Sequence, residues 1–108
     1  MWGQIEQSRA LIYEALGMAD HLIATGDTSS AALTKMLIST AKYSSCEMAI
    51  EVAKQCVWLH GGLGIVEETG ISRYLRDAQT LSIADGTPDL HIESVAFLLG
   101  MPGAQLTI

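Results

Sequence analysis

An all-α fold, an antiparallel up-and-down bundle of three main helices and one shorter helix, is predicted by three features of the sequence. Apolar residues recur at helical spacing through two long segments, the second runs from Ser29 to His60 without a Gly or Pro, and no stretch alternates in the manner of a strand. The first helix is predicted from about Ile5 to Ala24, on the recurrence of Ile5, Ile12, Ala15, Leu16, Ala19, Leu22 and Ile23. Thr25-Gly26-Asp27 ends it, with Gly26 placed for a left-handed C-terminal stop and Asp27 or Thr28 available to cap the next helix. So short a turn places that helix antiparallel to the first.

The second helix is predicted from Ser29 to His60, a span without Gly or Pro in which Leu33, Met36, Leu37, Thr40, Ala41, Ser44, Met48, Val52, Cys56 and Leu59 define the buried face. Its many small residues allow neighbouring helices, or a flat ligand, to approach closely. Gly61-Gly62-Leu63-Gly64 closes this helix and Glu67 to Gly70 reads as a surface loop. A shorter helix is expected from Ile71 to about Thr80, followed by an apolar connection from Leu81 to Gly86. Thr87 as N-cap, Pro88 at the first helical position and Asp89 at the positive end of the dipole then open the last helix. Leu90, Ser94, Phe97 and Leu98 give its inward face, and Gly100 with Pro102 closes it.

Composition limits the function. The 108 residues are enough for one domain with a core of its own; 49% are hydrophobic and only 17% charged, which excludes a disordered chain and predicts apolar surface that meets a partner. Six Lys+Arg against 12 Asp+Glu give a net charge of −6, and the basic residues are scattered, which argues against nucleic-acid binding. No run is long enough for a membrane span and charges interrupt any signal-peptide core, so a cytoplasmic protein is expected. Cys46 and Cys56, about 15 Å apart along one helix, do not pair and read as small hydrophobes of a reducing compartment. With His60 they lack any recognised metal-ligand spacing, and no metal is expected.

Two features carry candidate chemistry. The glycine cluster is either a helix stop or a bare stretch of backbone against which a flat ring or anion can lie. Asp85 is either a turn residue in an Asp-Gly pair or a carboxylate whose apolar neighbours Ile83 and Ala84 raise its affinity for a proton, as a general base requires. Arg73 and Asp77 have the i,i+4 spacing of an exposed pair, and His60 and His91 read as capping or core histidines.

Three segments in order, Ala53-Lys54-Gln55-Cys56-Val57-Trp58-Leu59-His60-Gly61-Gly62-Leu63-Gly64, Ile71-Ser72-Arg73-Tyr74-Leu75-Arg76-Asp77-Ala78 and Ile83-Ala84-Asp85-Gly86-Thr87-Pro88-Asp89-Leu90-His91, resemble the C-terminal helical domain of the acyl-CoA dehydrogenase family. The resemblance extends from about Ile5 to Leu99. It implies a flavoprotein oxidoreductase of fatty acid metabolism, in which the carboxylate before Gly-Thr removes the α-proton of an acyl-CoA thioester while the β-hydrogen leaves as hydride to FAD. Asp85 occupies the base position, one methylene shorter than the usual Glu. Gly61 and Gly62 match the motif that approaches the flavin adenosine of a neighbouring subunit, with Trp58 where the family usually has Gln. Thr87 and Asp89 match flavin-contacting positions, Gly86 adjoins the thioester, and Arg76 falls in an Arg-Asp-Ala motif with a structural or pocket-wall role. The family's N-terminal helical and middle β domains are absent from this sequence, so an incomplete enzyme segment is expected. It would assemble as a homodimer or homotetramer, or with a chain carrying those domains. The competing reading is a non-catalytic helical module kept for oligomerisation or partner binding.

Overall fold

The computed structural model describes residues 1 to 106, and among them every regular element is helical. Helix α1 spans Trp2–Thr25, α2 Ala31–Leu59, α3 Ile71–Ile83 and α4 Pro88–Leu98, with short 3-10 turns at Thr28–Ser30, Gly61–Gly64 and Glu67–Thr69. The turns fall where the residue chemistry places them. Gly26 is left-handed (φ 65°) and its N–H returns to the Leu22 carbonyl, which terminates α1. Asp27 then accepts from the Ser29 N–H at 2.9 Å and the Ser29 hydroxyl at 2.8 Å, which caps the turn leading into α2.

Helix α2 is the axis of the molecule. Its 29 residues make a rod about 43 Å long, and α1, α3 and α4 each pack principally against it. Apart from His91 of α4, the buried helical positions are small: Thr34, Ser39, Ala41 and Ala53 of α2, Ser8 and Ala15 of α1, Ala78 and Ser82 of α3, and Ser94 of α4. Without long side chains between them the backbones come close, as ridges of small residues permit.

The expected apolar faces are present but only partly covered. Leu33, Leu59, Leu16 and Ile23, assigned inward by their spacing, are exposed, and Met36, Leu37, Met48, Val52 and Cys56 are half-buried. Neighbours on three sides spread the buried positions of α2 over roughly 160° of its circumference, instead of along one stripe. The result is an open layer of helices measuring 52 × 31 × 20 Å, with a radius of gyration of 16.6 Å against about 13 Å for a compact chain of this length. Its accessible surface of 7051 Å² exceeds by about 1,200 Å² that of a globular monomer of its mass.

Helix α3 continues to Ile83, so the apolar connection expected from Leu81 onward is helical and the true loop is only Ala84 to Thr87. No helix breaker occurs before Gly86, and the Leu81 carbonyl finds donors on α2. Thr87 stands at the N-cap position of α4 with Pro88 behind it, as expected, yet its hydroxyl makes no capping hydrogen bond. Cys46 and Cys56 are free thiols.

The glycine cluster divides by geometry. A Cβ on Gly64 would overlap the Val57 carbonyl oxygen and lie 2.9 Å from the Val57 Cα, whereas one on Gly62 meets no atom within 4 Å. Gly64→Ala is expected to destabilise the chain by about 2 kcal/mol or more, as inserted bulk does in close packing. Gly62→Ala is expected to be neutral or stabilising by under about 1 kcal/mol, and thermal denaturation of the two variants checks the contrast.

Asp27 supplies a pH dependence of known sign. The Ser29 N–H and hydroxyl hold its carboxyl below the ordinary value, so its stabilisation is present above the carboxylate range and lost as pH falls through the depressed value. The protection of the Ser29 amide, its exchange rate relative to an unstructured peptide at the same pH, is expected to fall on acidification, and Asp27→Ala is expected to remove that pH dependence.

Candidate functional site

The α3–α4 loop holds the first group of candidate residues. Ala84 is extended, Asp85 adopts a left-handed conformation (φ 58°), Gly86 has φ 108°, and Thr87 returns to extended backbone before α4. Asp and Asn are among the few non-glycine residues that tolerate the left-handed region, so the Asp85-Gly86 pair makes a tight turn that most residues would strain. Asp85 is exposed at this apex. The desolvating enclosure expected from Ile83 and Ala84 is therefore absent, because both neighbours are themselves exposed.

Asp85 lines an open groove of about 410 Å³ whose other walls are Lys35, Ile38, Ser39, Lys42 and His91. Lys35, Ser39 and Lys42 share a face of α2, four and three residues apart, so two cations flank the carboxylate turn. Sequence reasoning did not connect these lysines with Asp85, since they lie more than 40 positions upstream and only the packing of α4 on α2 unites them. Gly86 and Thr87 are half-buried beside the groove, and Asp89 is exposed on the first turn of α4.

His91 is a core histidine, as its isolation in sequence implied. It is 7% exposed, and among the described residues neither ring nitrogen has a hydrogen-bond partner. The Ser94 hydroxyl, three residues on and fully buried, is likewise unpartnered. His60 has the capping geometry, with Nδ1 2.7 Å from the Cys56 carbonyl.

The second group lies at the other end of α2. Gly61 is left-handed (φ 57°), and a Cβ on either Gly61 or Gly62 would meet nothing within 4 Å, so their backbone is bare. Beside them the Trp58 ring is 70% exposed, with Lys54 Nζ 5.2 Å from its centroid in a cation–π contact. Leu59, Leu63 and Ile65 extend this apolar surface. From Ser39, in the Asp85 groove, to Leu59 is 20 residues of continuous helix, about 30 Å. The two groups therefore cannot close on one small ligand within a single chain.

Arg76 belongs to neither group. Its Nη1 lies 3.0 Å from Glu67 Oε1, pinning the 3-10 turn of Glu67–Thr69 to α3, and both side chains are exposed. Arg73 and Asp77 form the expected pair at 3.5 Å. Among the described residues no cluster of His, Cys, Asp and Glu could hold a metal, and no helix is long and apolar enough to cross a membrane.

The chain thus combines a glycine stop on a long central helix with a carboxylate turn between two shorter helices. The sequence matches the family model of the acyl-CoA dehydrogenase C-terminal domain over residues 1–99, and the chain belongs to the acyl-CoA dehydrogenase family. It is 36% identical over 72 residues to 3-methylmercaptopropionyl-CoA dehydrogenase of Ruegeria pomeroyi, a match covering 67% of this chain and 12% of that protein. It is 32% identical over 87 residues to a probable acyl-CoA dehydrogenase of Bacillus subtilis, covering 81% and 20%. A probable acyl-CoA dehydrogenase of Arabidopsis thaliana is 30% identical over 95 residues, covering 88% and 11%. The chain thus spans at most one fifth of the length of these three relatives. No solved structure matches it significantly.

Replacing His91 with an apolar side chain of similar size removes two buried nitrogens that lack partners. Such groups cost about 1–3 kcal/mol when unsatisfied, so His91→Leu is expected to leave the melting temperature unchanged or raise it. A large loss in calorimetry would show that the ring has a partner in solution.

Proposed function

We propose that this chain is the C-terminal segment of a flavin-dependent acyl-CoA dehydrogenase, in which Asp85 is the base that removes the α-proton of the acyl thioester. What supports this reading is that Asp85, which by resemblance matches the family's base position, lies on the apex of a left-handed turn over an open groove lined also by Lys35 and Lys42. Exposure in this chain leaves the carboxylate accessible to a substrate held by other domains. Its oxygen takes the α-proton to form an O–H bond, which requires approach to about 3 Å. The shorter side chain, relative to Glu, means that the substrate α-carbon lies closer to the α3–α4 loop.

The residues present fit FAD. Bare backbone at Gly61 and Gly62 admits a flat ring or its linked groups, and the exposed Trp58 ring offers a stacking face and an indole N–H donor in place of the usual amide. Thr87 and Asp89, at the opposite end of the molecule, would contact a second flavin. When bound, the flavin accepts the β-hydride that leaves as the α-proton is removed. The separation of about 30 Å between the two groups supports an assembly in which each chain serves two cofactors, and this favours a homodimer or homotetramer, or a complex with a chain carrying the other domains. Gly86 lies next to the base and Arg76 acts by holding the 67–69 turn, away from the groove.

The second reading, a non-catalytic assembly module, is favoured by the extra accessible surface and by the exposed cluster of Trp58, Leu59, Leu63 and Ile65. Visible absorption of the chain after incubation with FAD and desalting separates the two at the level of cofactor. Retention of a flavin band supports the first reading, and a colourless chain that still binds the flavin-carrying domains supports the second.

Asp85→Asn tests the base in the assembly with those domains. Asn tolerates the same left-handed turn while lacking the charge. Turnover of acyl-CoA is expected to fall by about 10²- to 10⁴-fold with flavin absorption and melting temperature unchanged. Undiminished turnover would remove Asp85 from the reaction.

A further inference from the structure

We propose that Lys42 is a positioning residue for Asp85: its ammonium clamps the C-terminus of α3 and so sets the turn that presents the carboxylate. The inference rests on the proposed role of Asp85, and the contact that carries it is independent of that role.

The last four carbonyls of an α-helix have no partner inside the helix, and the terminus carries the negative end of the dipole. In α3 these belong to Thr80, Leu81, Ser82 and Ile83. The Thr80 carbonyl accepts from the Ala84 N–H at 3.1 Å, and α3 has no basic residue in its own last turn. The cation comes from elsewhere. Lys42 Nζ, from the half-buried middle of α2, donates to the Leu81 carbonyl at 2.5 Å, and Cys46 Sγ, one turn further along α2, lies 3.8 Å from the same oxygen. A charged donor at a helix C-terminus makes one of the stronger hydrogen bonds available to a backbone carbonyl.

Geometry gives this contact its consequence. Only Ser82, Ile83 and Ala84 separate Leu81 from Asp85, and the chain turns sharply through Ala84 (ψ 139°), Asp85 (φ 58°) and Gly86 (φ 108°). The point at which α3 is anchored therefore determines where this turn begins. Lys42 also lines the groove that Asp85 lines, so anchor and carboxylate lie on the same side of the α3–α4 corner. The other titratable groups of that groove are Lys35 from α2 and His91 from α4. Lys35 supplies the natural contrast, because it brings the same charge to the groove while the bond to Leu81 is made by Lys42.

Two measurements test the proposal. In this chain, backbone NMR of Lys42→Gln is expected to show shifted resonances from Ile83 to Gly86 and an altered coupling constant reporting the Asp85 φ angle. Lys35→Gln is expected to leave those resonances in place. In the assembly with the flavin-carrying domains, Lys42→Gln is expected to lower kcat by about 10- to 100-fold, the penalty of a small misplacement of a reacting group, with KM close to the original. Lys42→Arg, which keeps a cationic donor at the carbonyl, is expected to restore both readouts. Unmoved resonances in Lys42→Gln, or a change in KM alone, would overturn the proposal. If Lys42→Gln fails to fold, Lys42→Arg decides: a folded Arg variant with a displaced Asp85 turn or a low kcat overturns it. Displaced resonances in Lys42→Gln together with full turnover by Asp85→Asn would leave the clamp standing and remove the base assignment.

Discussion

Close approach of three helices to one is the constraint on which the other features of this chain depend. α2 meets α1, α3 and α4 through Ala, Ser and Thr side chains, so backbone separation is set by the smallest residues and little space remains for large ones between the axes. A core of this kind gains from dispersion and close packing more than from burial of large apolar groups. The large residues go to the flanks. Leu16, Ile23, Leu33, Ile38 and Leu81 stand on outer or half-covered surfaces, which is why the molecule is flat and exposes more area than its mass requires.

The same arrangement separates the chemistry. A single uninterrupted helix of 29 residues holds the glycine stop at one end and receives the carboxylate turn near the other, so the distance between them is as rigid as the helix. The order of α3 and α4 along α2 then brings Asp85 back over Lys35 and Lys42. The groove built in this way is walled by α2, α4 and the Asp85 turn and is open on its other side. The relatives within the acyl-CoA dehydrogenase family are five or more times longer than the matched segment.

The interior is more polar than the exterior composition suggests. Ser8, Thr34, Ser39, Ser82, His91 and Ser94 are buried, and two of the hydroxyls bond back to carbonyls one turn earlier, Thr34 to Ser30 and Ser82 to Gln79. Those bonds satisfy small polar groups locally without a partner helix. His91 and Ser94 lack such an outlet among the described residues, and they lie on the first two turns of α4, directly behind the Asp85 loop. The least satisfied part of the packing thus adjoins the candidate site.

Local chemistry determined the helices, their order and their stops. Gly26 and Asp27, the glycines after Leu59, and Thr87-Pro88 act through backbone conformation and neighbouring hydrogen bonds, which a sequence displays directly. The candidate residues were legible for the same reason, being short contiguous motifs whose order survives without coordinates. Tertiary structure alone decided which apolar faces are covered, because helical period marks a stripe but not how many neighbours reach it. It also decided the length of α3, whose end depends on Lys42 and Cys46 from 39 and 35 residues away, and the exposure of Asp85 together with its neighbours Ile83 and Ala84. Contacts between residues so far apart in the chain leave no periodic or compositional trace in either segment, so the groove joining Lys35, Lys42 and Asp85 exists only once α3 and α4 are laid on α2.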